Sequence, residues 1–230
     1  ELSLMEKAAV SYYPSYVERD AIKAIDPAIA VKDITAYVFD QFLSHIQEDF
    51  SLREGLLFVG GFAHPPNADA VLWFAREVYP HVRRKMEAAG AVPPEFIVVG
   101  SKVTEEIQAL EQPGNGIVVK GFVPEEELSR LYGECRVVVV PLRYGAGVKG
   151  KVVEAIYYGA PIVTTAIGAE GIPQVEDVLL VEDEAETFAD AVVGLYQDCG
   201  ACRDLCRRTQ AYVRAHFSVE AAWRRIEEDF

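Results

Sequence analysis

Basic residues are scarce in this 230-residue chain: 22 Lys and Arg stand against 36 Asp and Glu, a formal net charge of −14. Recognition of a nucleic-acid backbone needs a basic face, so nucleic acid is excluded as a partner, whereas a small phosphorylated ligand needs only a local basic patch. Cysteine is also sparse. Cys135 stands alone, and Cys199, Cys202 and Cys206 fall on one helix face at i, i+3, i+7, a spacing that matches no zinc pattern without a fourth ligand. A half-buried helix face with reduced thiols is the reading they take. No apolar run approaches the ~20 residues of a membrane span and no signal-type segment opens the chain. The expected location is therefore cytoplasmic, with a peripheral place on the inner face of a membrane left open for the full-length protein. The first residue is not Met, and the chain reads as an excised domain.

Half the residues are hydrophobic and a quarter charged, enough for one large globular domain or a domain plus a fragment. Residues 1–50 differ from the rest. AAVSYYPS suggests a strand, YVERDAIKAID a helix and IAVKDITAYVFD a second strand, with DQFLSHIQEDF as a helical approach to the larger domain. This stretch is read as the remnant of a preceding domain plus a linker. From Gly55 a regular alternation begins: strands at 56–61, 96–100, 116–121, 136–140, 160–165 and 178–183, each followed by a helical pattern. Asn67 is expected to cap the first of these helices, Pro80 to kink or restart it and Gly90 to end it. Pro124 opens a helix with three glutamates in its first turn, where the macrodipole favours them. The domain is taken as 51–217, with a break at Phe217-Ser218 and a final helix over 218–230.

Short apolar strands without alternation, each followed by a helix, predict a doubly wound, mostly parallel α/β sheet covered on both faces, a Rossmann-like fold. In the strand order 3-2-1-4-5-6 a ligand sits where the winding reverses, between the first and fourth strands. The loop after the first strand is Gly60-Gly61-Phe62-Ala63-His64. The loop after the fourth carries Gly145, Gly147 and Gly150 and runs into a helix, a place where backbone N–H groups and the helix dipole hold an anion.

Several readings of YGAGVKGKVVEA compete. Residues 145–150 fit the dinucleotide fingerprint G-x-G-x-x-G, and Glu170 lies 20 residues beyond Gly150, where a ribose-binding acid is expected. That fingerprint belongs directly at the end of a first strand, and here Pro141 to Tyr144 intervene on a fourth. Residues 145–151 also fit G-x-x-x-x-G-K, but Val152 comes next and has no hydroxyl for Mg²⁺.

The third reading is a resemblance. VVVVPLRYGAGVKGKVVEAIYYGAPIVTTAIGAEGI resembles the carboxyl-terminal domain signature of GT-B glycosyltransferases of family 4, retaining enzymes with nucleotide-sugar donors. FVGGFAHPPNADAVLWF is similar to the first glycine loop and helix of one branch of that family, and GFVPEEELSRLYGECRVVVVP to its base-contacting loop. The likeness covers about residues 56–217 and makes the chain one half of a GT-B fold. It implies that Glu154, second glutamate of an E-x7-E motif, accepts hydrogen bonds from the donor ribose. It implies backbone contacts to the base near Val123, close approach of Gly60 and Gly61 to the sugar-phosphate, and N–H donation from Gly145 and Gly147.

Two departures mark this sequence. The first glutamate of E-x7-E falls at Ala146, and the Arg and Lys that the family commonly sets around the first glycine loop are replaced by His64 alone. His64 is a phosphate donor or a turn cap. Lys149 and Lys151 are the replacement cations for the leaving diphosphate, with Lys149 ranked first as the catalytic one because it stands nearer the glycines. No D-x-D and no His/carboxylate cluster occupies the site region, so neither metal nor cofactor is expected. The expected function is donor binding for a retaining glycosyltransferase of carbohydrate biosynthesis, without efficient turnover by the chain alone because the acceptor side lies in a missing amino-terminal domain. An NAD-dependent Rossmann enzyme and an inactive interaction module of the same fold are the alternatives.

Overall fold

The computed structural model describes residues 2–229. A short helix α1 (Leu2–Met5), strand β1 (Ser11–Tyr13), helix α2 (Tyr16–Ile25) and strand β2 (Val31–Asp33) form a small unit in which β1 and β2 pair in parallel. Its core is its own: Met5, Ile22, Ile29 and Val31 are buried together, apart from the main core.

The stretch DQFLSHIQEDF, expected to be helical, is irregular up to its last residue, where a 3₁₀ turn begins at Phe50–Leu52. The physical reason is competition for its backbone. Arg53 donates to the Gln47 carbonyl and Arg203 to the Glu48 carbonyl, so side chains from elsewhere take the acceptors a helix would use. Just before it, Phe39 donates its N–H to the Phe217 carbonyl at 2.8 Å and stacks on Tyr157 at 4.4 Å.

The main body alternates strand and helix. In chain order come β3 (Leu56–Val59), α3 (Pro65–Trp73), a π-helical turn (Phe74–Val78), α4 (Tyr79–Ala88), β4 (Phe96–Val99), α5 (Glu105–Gln108), β5 (Ile117–Gly121) and α6 (Glu125–Glu134). Next are β6 (Val137–Val140), α7 (Gly150–Tyr157), β7 (Ile162–Thr164), α8 (Ala166–Ala169), β8 (Leu180–Val181), α9 (Ala185–Gln197), α10 (Cys199–Phe217) and α11 (Val219–Ile226). The six strands lie in the order β5-β4-β3-β6-β7-β8, all parallel. This is the doubly wound α/β arrangement, with β3 and β6 at the reversal. The strands read as continuous apolar runs because both faces are covered: Leu56, Leu57, Phe58 and all four valines of β6 are at most 1% exposed. Among the described residues no helix is long and apolar enough to cross a membrane.

Two local expectations shift and a third holds. Helix α3 starts at Pro65, with His64 in the cap position, so Asn67 lies inside the first turn and is not the cap. Pro65 and Pro66 have φ already set for a helix and no N–H to leave orphaned, which moves the start earlier. The strand expected over 178–183 shrinks to two half-exposed residues, because Val178 and Leu179 turn into the core after a 3₁₀ turn. Pro80 does restart its helix, and the π turn before it absorbs the lost hydrogen bond. Cys202 and Cys206 of α10 are buried in the core, as is Cys135 after α6; burial pushes the thiols of Cys135 and Cys202 up to about 12 and that of Cys206 upward.

Candidate functional site

The site is built at the carboxyl ends of β3 and β6. Gly60 and Gly61 directly follow β3, and the Gly60 N–H donates to the Val99 carbonyl at 3.0 Å. A Cβ on Gly60 would lie 2.9 Å from Lys151 Nζ and 3.0 Å from the Asn67 side chain. The bare glycine therefore makes room for a lysine arriving from the first turn of α7. Lys151 donates to Asn67 Oδ1, and Asn67 Nδ2 donates to the Gly61 carbonyl at 2.8 Å. The Lys151 ammonium stands 5.0 Å above the Phe58 ring and has no carboxylate partner among the described residues. Burial pulls its pKa down from 10.5 to about 8, and the charge of Lys149 adds to the fall.

The loop between β6 and α7 supplies the other wall. Gly145 and Gly147 both sit at positive φ, +122° and +78°, which an L side chain rarely adopts. Lys149 folds back across them: its Nζ donates to the Gly145 carbonyl at 3.2 Å and to the Gly147 carbonyl, and Glu170 Oε1 lies 3.8 Å away. Burial lowers the Lys149 pKa, and Glu170 and Glu18 oppose that fall. The Gly147 N–H, one of the two expected anion donors, is given to Glu170 Oε1 at 3.0 Å. Between the two loops lies a cavity of about 250 Å³ lined by His64, Asn67, Tyr144, Ala146, Lys149 and Lys151 among others. His64 lines it with its side chain making no cap bond to α3.

Glu154 sits one turn along α7, away from the cavity and against α6, where the Tyr132 hydroxyl donates to its Oε2 at 3.1 Å. Burial raises its pKa and the Tyr132 bond counters that rise. Tyr132 is itself fixed by stacking on Tyr158 at 4.7 Å. Val123, 9% exposed, lies in the loop after β5, with Phe122 exposed beside it and Gly121 at φ +68° turning the chain. The structure thus gathers Gly60, Gly61, His64, Gly145, Gly147, Lys149 and Lys151 at the crevice and sets Glu154 and Val123 to one side of it, toward α6 and the β5 edge.

Three participants were not legible as such. Asn67 is the partner of Lys151. Glu170, singled out in the sequence only as a possible ribose acid, is the partner of Lys149 and Gly147. The Tyr37 ring from the linker closes over the start of α7, its hydroxyl 2.7 Å from where a Cβ on Gly150 would be. Asn67 and Glu170 each carried a signal for another role, a helix cap and a ribose acid, and Tyr37 carried none. Val152, the residue after the G-x-x-x-x-G-K pattern, is fully buried.

Comparison with known proteins bears on the family and the fold. The family model described as Glycosyl transferases group 1 matches residues 53–198. An uncharacterised 44.6 kDa protein in the cps region of Klebsiella pneumoniae is 24% identical over 181 residues, 74% of this chain and 44% of that protein. Among solved structures, a mutant of S. aureus TarM in complex with Fondaparinux, alpha-GlcNAc-glycerol and UDP superposes with TM-score 0.75 at 14% identity, covering 99% of this chain and 45% of that one. Anabaena Alr3699/HepE in complex with UDP-glucose gives 0.69 at 18% identity, covering 99% and 65%. A glycosyltransferase from Rickettsia africae gives 0.75 at 14%, covering 99% and 64%. The chain spans about half to two thirds of the length of these proteins.

Proposed function

Because the chain belongs to the glycosyl transferases group 1 family, we propose that it is the donor-binding, carboxyl-terminal part of a retaining family 4 glycosyltransferase of carbohydrate biosynthesis. The observation that carries this reading is Lys151: a desolvated ammonium with no acid partner among the described residues, set between two glycine loops at the switch point of a doubly wound sheet. Such a group is held ready for an anion that the chain itself does not supply.

The donor lies along the carboxyl edge of the sheet. Its base meets the backbone near Val123, its ribose hydroxyls donate to Glu154, and its diphosphate enters the crevice beside Gly60, Gly61 and His64. In the reaction the acceptor hydroxyl oxygen bonds to the anomeric carbon as the bond from that carbon to the β-phosphate oxygen breaks, the electron pair leaves on the diphosphate, and the hydroxyl proton passes to the departing phosphate oxygen. Lys151 neutralises that charge in a partly water-excluded site, where the effect on the barrier is largest. Lys149, ranked first from the sequence, is engaged with two loop carbonyls and Glu170, so we assign it to shaping the loop and to long-range charge. The reading calls on the lysines for neutralisation and asks for no metal. That a TarM structure holds UDP and a HepE structure holds UDP-glucose supports a nucleoside-diphosphate donor here.

The acceptor side is assigned to the rest of the full-length protein, of which the unit over residues 2–33 is the end. The chain alone then binds donor without efficient turnover, and measurable glycosyl transfer by it would overturn that part. The test of the whole reading is a thermal-shift panel with UDP, GDP, ADP and NAD⁺. Stabilisation by one nucleoside diphosphate supports it, stabilisation by NAD⁺ alone turns it toward a dehydrogenase, and no response turns it toward an interaction module.

A further inference from the structure

We infer that Glu170 is a specificity-determining residue that reads the hydroxyls of the transferred sugar, an inference that rests on the proposed donor-binding role. Three observations converge on it. The first is placement. Along the carboxyl edge the loops follow the sheet order β5-β4-β3-β6-β7, so the base site near Val123 lies on one side of the diphosphate crevice and the loop carrying Glu170, after β7, lies on the other. A nucleotide sugar laid across this edge with its diphosphate at Lys151 has its sugar toward Glu170.

The second is rigidity. Glu170 directly follows α8, whose capping residue Thr165 accepts from the Gly168 N–H at 3.1 Å and donates to the Leu142 carbonyl in the loop after β6. The carboxylate is then held at one oxygen only: Oε1 accepts from Gly147 N at 3.0 Å and faces Lys149 at 3.8 Å. Oε2 has no partner among the described residues, and the side chain is 30% exposed. One oxygen is anchored and one is open, the arrangement a carboxylate needs to accept from a vicinal diol without losing its position.

The third is charge. A carboxylate beside a diphosphate repels it unless neutralised, and Lys149 does that here, which explains why a half-buried lysine is used on Glu170 rather than left for the phosphate. The neighbouring loop residue, Ala146, lines the cavity but has no side-chain acceptor to offer. Glu18 is the other carboxylate facing this loop, its Oε1 3.8 Å from where a Cβ on Gly147 would be, and it accepts from the Ser15 hydroxyl.

The test is calorimetric titration of the chain with UDP and with UDP-glucose, or with the diphosphate of the panel that binds and its glucose conjugate. Glu170→Gln and Glu170→Ala are expected to weaken the glucose conjugate about tenfold, the scale of one charge-assisted hydrogen bond, while the bare diphosphate binds equally or more tightly because a negative charge is gone. Equal weakening of both ligands would make Glu170 a latch on the loop, and no change in either would leave it without a role; each overturns the inference alone. Loss of the sugar-dependent difference in Glu18→Gln but not in Glu170→Gln moves the role to Glu18 and also overturns it. Wild-type chain that binds no diphosphate at all overturns the donor-binding role itself.

Discussion

Replacing Lys151 by Met tests the site through stability as well as binding. The ammonium is protonated in the unfolded chain up to pH 10.5 but in the folded chain only up to about 8, because folding takes it out of water beside Phe58 and Lys149. Below pH 8 both states hold the proton and the folded state bears the full cost of the buried charge. At ~1.36 kcal/mol per pH unit this is about 3 kcal/mol, a ceiling because solvent still reaches part of the side chain. Between pH 8 and 10.5 the unfolded state binds the extra proton, so wild-type stability rises with pH from this group, and above 10.5 the cost has gone. Met bears no such cost at any pH. It does leave Asn67 Oδ1 without its donor, a loss of about 1–3 kcal/mol that persists across the range.

The expected outcome is therefore a crossing. Near pH 7 the Lys151→Met chain equals or exceeds the wild type in stability by up to about 2 kcal/mol, and near pH 10 it falls below by about 1–2 kcal/mol. Urea denaturation of both chains at pH 7, 8, 9 and 10 reads this, because titrating groups other than Lys149, whose charge couples to Lys151, are common to both and cancel in the difference. Binding of the nucleoside diphosphate moves the other way at pH 7, weakening about tenfold or more with the loss of a charge-assisted contact. In the wild type, binding should also weaken as pH rises through 8, since the free site then lacks the proton that the anion requires. A stability difference constant from pH 7 to 10 would show that the ammonium is not desolvated, and the argument for Lys151 as the anion's counter-charge would fail.

Two further substitutions separate the parts of the site. Glu154→Ala should weaken the ribonucleoside diphosphate about tenfold and abolish its preference over the 2′,3′-dideoxy analogue, measured by competition; a preference that survives would place the ribose elsewhere. Gly100→Ala should destabilise the chain by about 3 kcal/mol or more, about 6–12 °C in melting temperature, because a Cβ there would land on the Gly60 carbonyl oxygen. The Gly60 loop would be displaced with it, so diphosphate affinity should fall in the same variant.

The sheet was legible because its strands are buried on both faces and so write themselves as unbroken runs, LLFV, FIVV and VVVV, that no helix period explains. Strand order followed from the doubly wound rule, and the pairing of β3 with β6 places the two glycine loops side by side as expected. What failed were segments decided by distant partners. DQFLSHIQEDF has apolar residues compatible with a helix, but Arg53 and Arg203 claim its carbonyls, and neither arginine is visible to a local pattern. Asn67 suits a cap in isolation, yet two prolines before it begin the helix sooner, and its side chain serves Gly61 and Lys151 instead.

The candidate site divides along the same line. Gly60, Gly145 and Gly147 stand in the two loops that follow β3 and β6, so their place at the crevice could be found from strand order. The two lysines could not be ranked that way, because nearness in sequence to the glycines favoured Lys149, while what separates the pair is what each ammonium meets across the fold. Lys149 meets carbonyls and Glu170, and Lys151 meets an amide 84 residues away and an aromatic face. The absence of a cation in the first glycine loop and the presence of Lys151 are then one feature. Gly60 has no side chain to offer a phosphate, and a Cβ there would stand 2.9 Å from Lys151 Nζ, so the bare glycine is what admits a cation from the opposite loop. A basic residue restored to the β3 loop would compete with Lys151 for the same anion and, at position 60, for the same space.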